Sequence, residues 1–446
     1  MLGCKSVQWM FRSKAMGCTS DALRVGLAGC GTVGSGVVRL LGDNADWLRM
    51  RSRREIVLTH ILERDLQRLE GLPVPQGLQV TDDPAQLADN PDIDVVVELM
   101  GGIDFPGAFI LRALDNGKHV VTANKALLAE AGLPLLEKAA ERGVSLLYEA
   151  SVAGGIPIVQ AMKESLAANR ITALSGILNG TSNYILSKME AEGLDFAAAL
   201  AQAQDLGFAE ADPSLDIDGQ DAAHKLVILI RLACGAEYPY TELPVRGIRG
   251  IDQLDIGFAR EFGYHIKLLG TVRAEDGCLQ AGVFPTLIRK SALLAQVGGA
   301  FNAIWVSGNA VESLFFHGKG AGAMPTASAV AGDLLTLARG AAPNNTGFVR
   351  QVPPTARIMP PAEAVSRYYV RVMVRDTPGV LRDLAGAMAA EGISIAQAIQ
   401  KTEEQRAVPL VFMTHAARAK AMETALRQME NGGLLLEPAM CYPVLD

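Results

Sequence analysis

The sequence predicts an α/β protein of three units in series: a parallel sheet wrapped by helices, an α+β unit, and a small C-terminal unit of ferredoxin-like order. Three observations predict it. Short apolar runs alternate with helical stretches from residue 23 to 149, and longer helices mix with strand-like runs from 151 to about 340. A βαββαβ order then follows a stretch rich in Pro, Asn, Gly and Thr. At 446 residues the chain is too long for one core, since a domain takes about 150 residues.

Residues 23–28, 56–62, 94–99, 119–122 and 144–148 read as strands, with helices over 32–41, 105–116 and 127–142. Strands that alternate with helices need crossover connections, which make the sheet parallel. In the second unit, 158–168, 196–206, 221–234 and 256–261 read as helices and 270–273 and 310–316 as strands. A glycine-rich turn at 318–322 leads into a helix over 326–338. Residues 341–366 have a linker composition. After it come a strand at 368–374, a helix at 380–391, strands at 393–399 and 408–415, a helix at 417–428 and a last strand at 434–442. The expected units are therefore a 1–22 extension, 23–150, 151–340, the 341–366 linker and 367–446.

Composition excludes several classes. Hydrophobic residues at 49% and charged residues at 20% describe a globular chain and not a disordered one. A net charge of -7 without a basic run excludes nucleic acid and anionic membrane as partners. Apolar runs such as 226–230 fall far short of the ~20 residues that span a bilayer. The six cysteines lie far apart with no CxxC, which supports neither a zinc site nor a disulfide framework and fits a reducing cytoplasm. Lys5, Arg12 and Lys14 precede the first acidic residue, Asp21, without a continuous apolar segment. A disordered extension, or a start assigned upstream of Met16, is expected there ahead of a targeting peptide.

Gly29-Cys30-Gly31-Thr32-Val33-Gly34 matches GxGxxG between a strand and a helix. The first glycine allows the tight turn, the second lets backbone approach a pyrophosphate, and the third permits close helix–strand packing. The helix N-terminus adds free N–H groups and a partial positive charge. Where the second strand ends, Glu63 suits a ribose 2′-hydroxyl and NAD, whereas Arg64 suits a 2′-phosphate and NADP. Arg64 tips the expectation towards NADP.

The acidic segment 207–221 carries the chemistry. Asp216, Asp218 and Gly219 fit part of a calcium-loop register, but its last position would be Lys225, where a bidentate glutamate is needed, so calcium is excluded. Asp221 and Lys225 are four apart on a helix and share a face. The helix continues as Leu226-Val227-Ile228-Leu229-Ile230, apolar on every face and so buried. A lysine at the mouth of such a helix needs partners or a substrate. Reduction of an aldehyde by hydride needs a proton donor at the carbonyl oxygen, a task that suits such a lysine oriented by a carboxylate. Glu210 is a second carboxylate, suited to an ammonium group.

The segments LAGCGTVGSGV, VVVELMGG, HVVTANKALLA, YEASVAGGIPI, GILNGTSNYIL, GFAEADPSLDIDGQDAAHKL and GKGAGAMPTASAVAGDL run in order across nearly all of residues 23–338. Together they resemble the homoserine dehydrogenases. The resemblance implies a Rossmann-type domain, an α+β catalytic and dimerisation domain, and NAD(P)-dependent interconversion of L-aspartate 4-semialdehyde and L-homoserine, on the route to threonine and methionine. It implies Lys225 as the acid/base, with Lys125 opposite it between nicotinamide and substrate. Glu210 and Asp221 would bind the amino acid, with Thr181 nearby. Gly29, Gly31, Thr32, Val33 and Gly34 would line the pyrophosphate, and Met100 and Gly320 would flank the nicotinamide. It further implies a monovalent cation (sodium) on the backbone carbonyls of Glu149, Val152, Gly154 and Ile156, and a homo-oligomer, dimer or tetramer. Asp376-Thr377-Pro378-Gly379-Val380-Leu381 resembles the strand-to-helix turn of an ACT domain, which implies threonine as an effector; a purely structural or dimerising module is the other reading. The competing functions are a reductase of another oxo acid and a catalytically silent nucleotide-binding sensor.

Overall fold

The computed structural model describes residues 22–275, 277–400 and 407–445. The expected N-terminal extension thus lies, but for its last residue, outside the described residues. Six strands form the first sheet: β1 (Leu23–Ala28), β2 (Ile56–Leu62), β3 (Gln79–Thr81), β4 (Val95–Glu98), β5 (His119–Thr122) and β6 (Leu146–Leu147). They are all parallel, in the order β3-β2-β1-β4-β5-β6. The central strands are near-continuous apolar runs because helices cover both faces. Those helices are α1 (Thr32–Asp43), α2 (Ala45–Arg51), α3 (Ala85–Ala88), α4 (Asp104–Asp115) and α5 (Lys125–Arg142). The order reverses between β1 and β4, and a crevice opens at such a switch point beyond the strands' C-terminal ends.

The middle unit supplies helices α6 (Ile158–Gln160), α7 (Gly180–Glu192), α8 (Phe196–Asp205), α9 (Ser214–Ile217), α10 (Gln220–Cys234), α11 (Gln253–Glu261) and α12 (Ala323–Ala338). Its strands are β7 (Ile171–Ile177), β8 (Tyr264–Glu275), β9 (Cys278–Arg289), β10 (Phe301–Gly308) and β11 (Glu312–Lys319). The C-terminal unit adds β12 (Val365–Arg375), α13 (Val380–Ala390), β13 (Ile395–Gln400), β14 (Ala407–Thr414), β15 (Ala417–Arg418), α14 (Ala419–Asn431) and β16 (Met440–Leu445). Both units share one sheet, ordered β11-β10-β7-β8-β9-β16-β12-β14-β13, with β15 against β12. The join is parallel, Val444 opposite Leu287 and Leu445 opposite Ile288.

Two features depart from a simple string of units. Helix α12 returns to the first sheet, where Val330, Leu334 and Leu337 pack with Val37 and Val38 of α1 and with Leu23, Val25 and Leu27 of β1. Gly36 permits this, since a Cβ there would lie 2.7 Å from the Ala323 carbonyl oxygen. The stretch before β12 is irregular but pinned: Asn345 accepts from the Leu146 amide at 2.9 Å, and Tyr148 donates to the Asn345 carbonyl at 2.6 Å.

Several expected elements are corrected. The strand expected at 310–316 straddles a hairpin turn, because β10 ends at Gly308 and pairs it with Glu312. Residues 158–168 form one α-turn and then a π-turn over Ala161–Ser165. The last strand begins only at Met440, past Pro438, which cannot donate to a ladder. The reading missed α7, whose opening residues Gly180-Thr181-Ser182-Asn183 are weak helix formers; the Asn179 side chain caps it, accepting from the Ser182 amide at 2.7 Å.

Candidate active site

The crevice is built first from strand ends. Gly29 turns at φ +95°, and a Cβ on it would meet the Leu99 carbonyl oxygen at 2.8 Å, so the loops after β1 and β4 touch. A Cβ on Gly34 would lie 2.1 Å from the Gly29 oxygen, which makes the third glycine obligatory for the packing of α1. Gly31, by contrast, faces open space apart from Arg68, 3.7 Å away. The opening turn of α1 thus presents Thr32, Val33 and Gly34 amides beside a clear approach, which fits a pyrophosphate.

Glu63 ends β2 with its carboxylate on the loop, accepting from the Cys30 amide at 2.8 Å and from the Arg64 and Asp65 amides at 3.0 and 3.1 Å. The Arg64 side chain is exposed. The arginine that reaches the loop is Arg68, 3.7 Å from Glu63 Oε2, a residue sequence reasoning did not single out.

Buried Glu98 then couples the crevice walls. Its Oε1 accepts from the Met100 amide at 2.7 Å, its Oε2 from the Thr122 hydroxyl at 2.7 Å, and that hydroxyl oxygen accepts from the Asn124 amide at 3.0 Å. Asn124 caps α5 through the Leu127 amide and donates to the Gly102 carbonyl at 2.7 Å. Lys125 therefore starts α5 at a fixed point against the loop that follows β4.

From the opposite wall, α10 brings Asp221 and Lys225. Asp221 is gripped between two lysines: Lys225 Nζ stands 2.7 Å from Oδ2 and Lys125 Nζ 3.0 Å from Oδ1. Lys225 also donates to the Leu178 carbonyl at 2.8 Å. Asn179 bridges Asp221 at 2.8 Å and Asp216 at 2.6 Å. Burial alone would raise the Asp221 pKa, but the two ammonium groups hold it well below the carboxylate range. Burial pushes Lys225 below its ordinary value in spite of Asp221. Lys125, with 42% of its side chain exposed, is raised by Asp221.

Thr181 lies at the start of α7 and donates to the Phe208 carbonyl at 2.6 Å, which ties it to the acidic loop. Glu210 sits exposed on that loop, near enough to Lys125 for its charge to be felt there. Gly320 closes another side: a Cβ on it would overlap Asn302, whose amide donates to the same Leu178 carbonyl at 3.0 Å. Sequence reasoning missed Asn179 and Asp216 as site members, Asn302 and Glu98. All four act through contacts far apart in sequence, while the asparagine of the GILNGTSNYIL segment was a usable signal.

The turn 149–156 has left-handed residues at Ala153 (φ 54°) and Gly154 (φ 52°). Among the described residues no amide or side chain donates to the Val152 or Gly154 carbonyl, although both residues are buried. The Glu149 carboxylate points elsewhere, taking the Val159 and Gln160 amides at 2.9 and 2.6 Å. Glu149 O already accepts from the Val152 amide at 3.4 Å and Ile156 O from the Ile158 amide at 2.8 Å, so the carbonyls open to a hard monovalent cation are those of Val152 and Gly154. No cluster of three His, Cys, Asp or Glu suited to a metal occurs among the described residues, nor does any helix long and apolar enough to cross a membrane.

Three family models match the chain in order. Residues 29–149 match the homoserine dehydrogenase NAD-binding domain, 157–335 the homoserine dehydrogenase catalytic domain, and 368–431 the ACT domain. Homoserine dehydrogenase of Neisseria gonorrhoeae is 42% identical over 92% of this chain and 95% of its own. That of Bacillus subtilis is 36% identical over 95% and 98%. The crystal structure of a homoserine dehydrogenase from Thiobacillus denitrificans superposes with a TM-score of 0.91 at 40% identity, covering 96% of this chain and 99% of that one. An archaeal homoserine dehydrogenase in complex with NADPH, 24% identical, shares the fold at a TM-score of 0.58 over 71% of this chain and 97% of its own. With a parallel nucleotide-binding sheet, a mixed-sheet catalytic unit and an ACT domain in that order, the chain belongs to the homoserine dehydrogenase family of oxidoreductases.

Proposed function

We propose that the chain interconverts L-aspartate 4-semialdehyde and L-homoserine, with Lys225 as the acid/base. The observation that carries this reading is Asp221 held between Lys225 and Lys125 at the meeting of the two walls. Lys225 commits two of its three N–H donors, to Asp221 and the Leu178 carbonyl, and keeps the third for a substrate oxygen. As negative charge builds on the aldehyde oxygen, that proton completes the alcohol; in the reverse direction neutral Lys225 takes it back. Lys125 stabilises the charge from the α5 side, and Glu210 and Asp221 are suited to the substrate ammonium, with Thr181 orienting the acidic loop.

The nicotinamide cofactor, when bound, supplies the hydride. Gly29, Gly31, Thr32, Val33 and Gly34 would hold its pyrophosphate, and Met100 and Gly320 would border the ring. The pair Glu63 and Arg68, with Arg64 beside them, supports recognition of the adenosine ribose, and NADP is the expected preference. A monovalent cation, sodium, would sit on the Glu149, Val152, Gly154 and Ile156 carbonyls and stiffen the turn against Gly320, whose oxygen lies 2.6 Å from a Cβ built on Gly154.

The test is steady-state reduction of aspartate semialdehyde with NADPH and with NADH. Turnover with NADPH at the higher kcat/KM supports the reading, and equal or better turnover of another oxo acid overturns it.

A route from the ACT domain to the acidic loop supports threonine feedback. Arg246 donates to the Cys441 carbonyl of β16 at 2.9 Å and stacks over the Tyr442 ring. Two residues on, the Ile248 amide donates to the Ile217 carbonyl at 2.8 Å, next to Asp216 and Asp218. Threonine should slow homoserine oxidation by the wild type, and Arg246→Ala should blunt that response. An equal response in both would remove this strap from the route.

A further inference from the structure

Helices α5 and α10 meet at three points, and the catalytic reading uses only the first, Lys125 against Asp221. One turn further along α10, His224 Nε2 lies 2.8 Å from Glu130 Oε1 of α5. The imidazole is buried, 6% exposed in its side chain, and packs at 4.6 Å centroid separation on Tyr240, whose hydroxyl reaches back to Gln220 at the start of α10. Nearer the end of α10, fully buried Arg231 pairs with Glu237 at 2.6 and 2.8 Å and donates to the Leu128 carbonyl of α5 at 2.9 Å. Gly132 makes room for it, since a Cβ there would lie 3.3 Å from the guanidinium.

These contacts fall where α5 is least regular. Ala131 leaves helical geometry at φ −139°, and Pro134 follows within the helix. Proline has no N–H to give the preceding turn, so the helix cannot hold its own axis there. Glu130 and Leu128, both on the Lys125 side of the kink, are held instead by α10.

We infer that His224, with Glu130, is a positioning residue for the reaction: it fixes the segment of α5 that precedes the kink and carries Lys125, and so the place of Lys125 against Asp221 and Lys225. The inference rests on the catalytic reading above. His224 touches neither Asp221 nor Lys225 by any recorded bond, so its effect runs through α5. The charged and titratable groups facing it are Glu130, Asp221, Lys125 and Tyr240. Burial keeps the imidazole below its ordinary pKa, so the neutral ring donates from Nε2 to Glu130 at neutral pH.

The experiment is a kinetic cycle on the full chain with NADPH and aspartate semialdehyde. His224→Ala and Glu130→Ala should each lower kcat about tenfold, as a small misplacement of a catalytic group does, with the KM for NADPH unchanged. The double variant should lose no more than either single one, because both break one contact. His224→Gln places an amide N–H where Nε2 stood and should restore most of kcat; Glu130→Gln, at the exposed end of the pair, keeps the acceptor and guards against misfolding at the buried end. Wild-type kcat in His224→Ala, equal loss in His224→Gln, or fully multiplying losses in the double variant would each overturn the inference. Failure of the catalytic reading is distinguishable, because it would appear as retained turnover in Lys225→Ala and not in this cycle.

Discussion

Two buried ion pairs hold this molecule's units together, and they are built to opposite ends. At the junction of the ACT domain with the catalytic unit, Arg371 of β12 gives Nε and Nη2 to both oxygens of Asp255 at 2.8 and 3.0 Å, and Nη2 also to Asp252 at 2.8 Å. Tyr369 donates to Asp255 as well, at 3.0 Å. Asp255, fully buried, thereby takes three donors, all from β12. At the crevice, Lys225 has a donor to spare and Asp221 is shared between two ammonium groups. A pair between a guanidinium and a carboxylate of the framework fixes geometry, whereas one whose lysine has an N–H left over, also costly to bury, keeps a proton available for chemistry.

The comparison can be broken from either side. Asp221→Asn should have the largest effect on rate, lowering kcat about 10²- to 10³-fold, with the fold intact by circular dichroism; a loss below threefold would mean the pair is structural like its counterpart. Asp255→Asn should do the reverse. It leaves buried Arg371 with only the half-exposed Asp252 as charge partner, a change of about 3 kcal/mol, read as a lower urea midpoint with kcat near wild type. A tenfold fall in kcat with unchanged stability would refute the contrast.

A pH profile sharpens it further. Lys225 lies below the ordinary lysine value because it is buried. Reduction needs its proton, so the rate should fall as pH rises through that lowered pKa, and homoserine oxidation should rise over the same range. Lys225→Arg should shift that alkaline limb upward, since a guanidinium does not titrate there; an unmoved limb would assign it to another group. The smallest effect belongs to the cofactor rim. Arg68→Ala should weaken NADPH relative to NADH by about 1–2 kcal/mol, measured as the ratio of KM values. A change for Arg64→Ala and none for Arg68→Ala would restore the arginine that the sequence alone pointed to.

The parallel sheet was legible because its central strands are apolar runs that alternate with helical stretches, and GxGxxG sits where β1 meets α1. The spacing of Asp221 and Lys225 placed both on one face of α10, and the motif brought Lys125 in. Other features could not be read in one dimension. Glu98 looks like the last residue of an apolar strand, yet it ties Met100 to Thr122. The Leu178 carbonyl, shared by Lys225 and Asn302, is a backbone atom without a sequence signature. Helix α7 hides because its first two turns are buried on most sides and opened by poor helix formers. The union of the two C-terminal units into one sheet depends on β9 and β16, more than 150 residues apart in sequence.

The central claim is that Lys225 delivers the proton to the substrate oxygen. Its most direct test is the reduction of aspartate semialdehyde by NADPH in wild type and Lys225→Ala, with NADPH affinity measured separately by fluorescence. The account predicts a fall in kcat of about 10²- to 10⁴-fold with NADPH affinity within about twofold of wild type. Wild-type turnover in Lys225→Ala, with the cofactor bound as before, would contradict it.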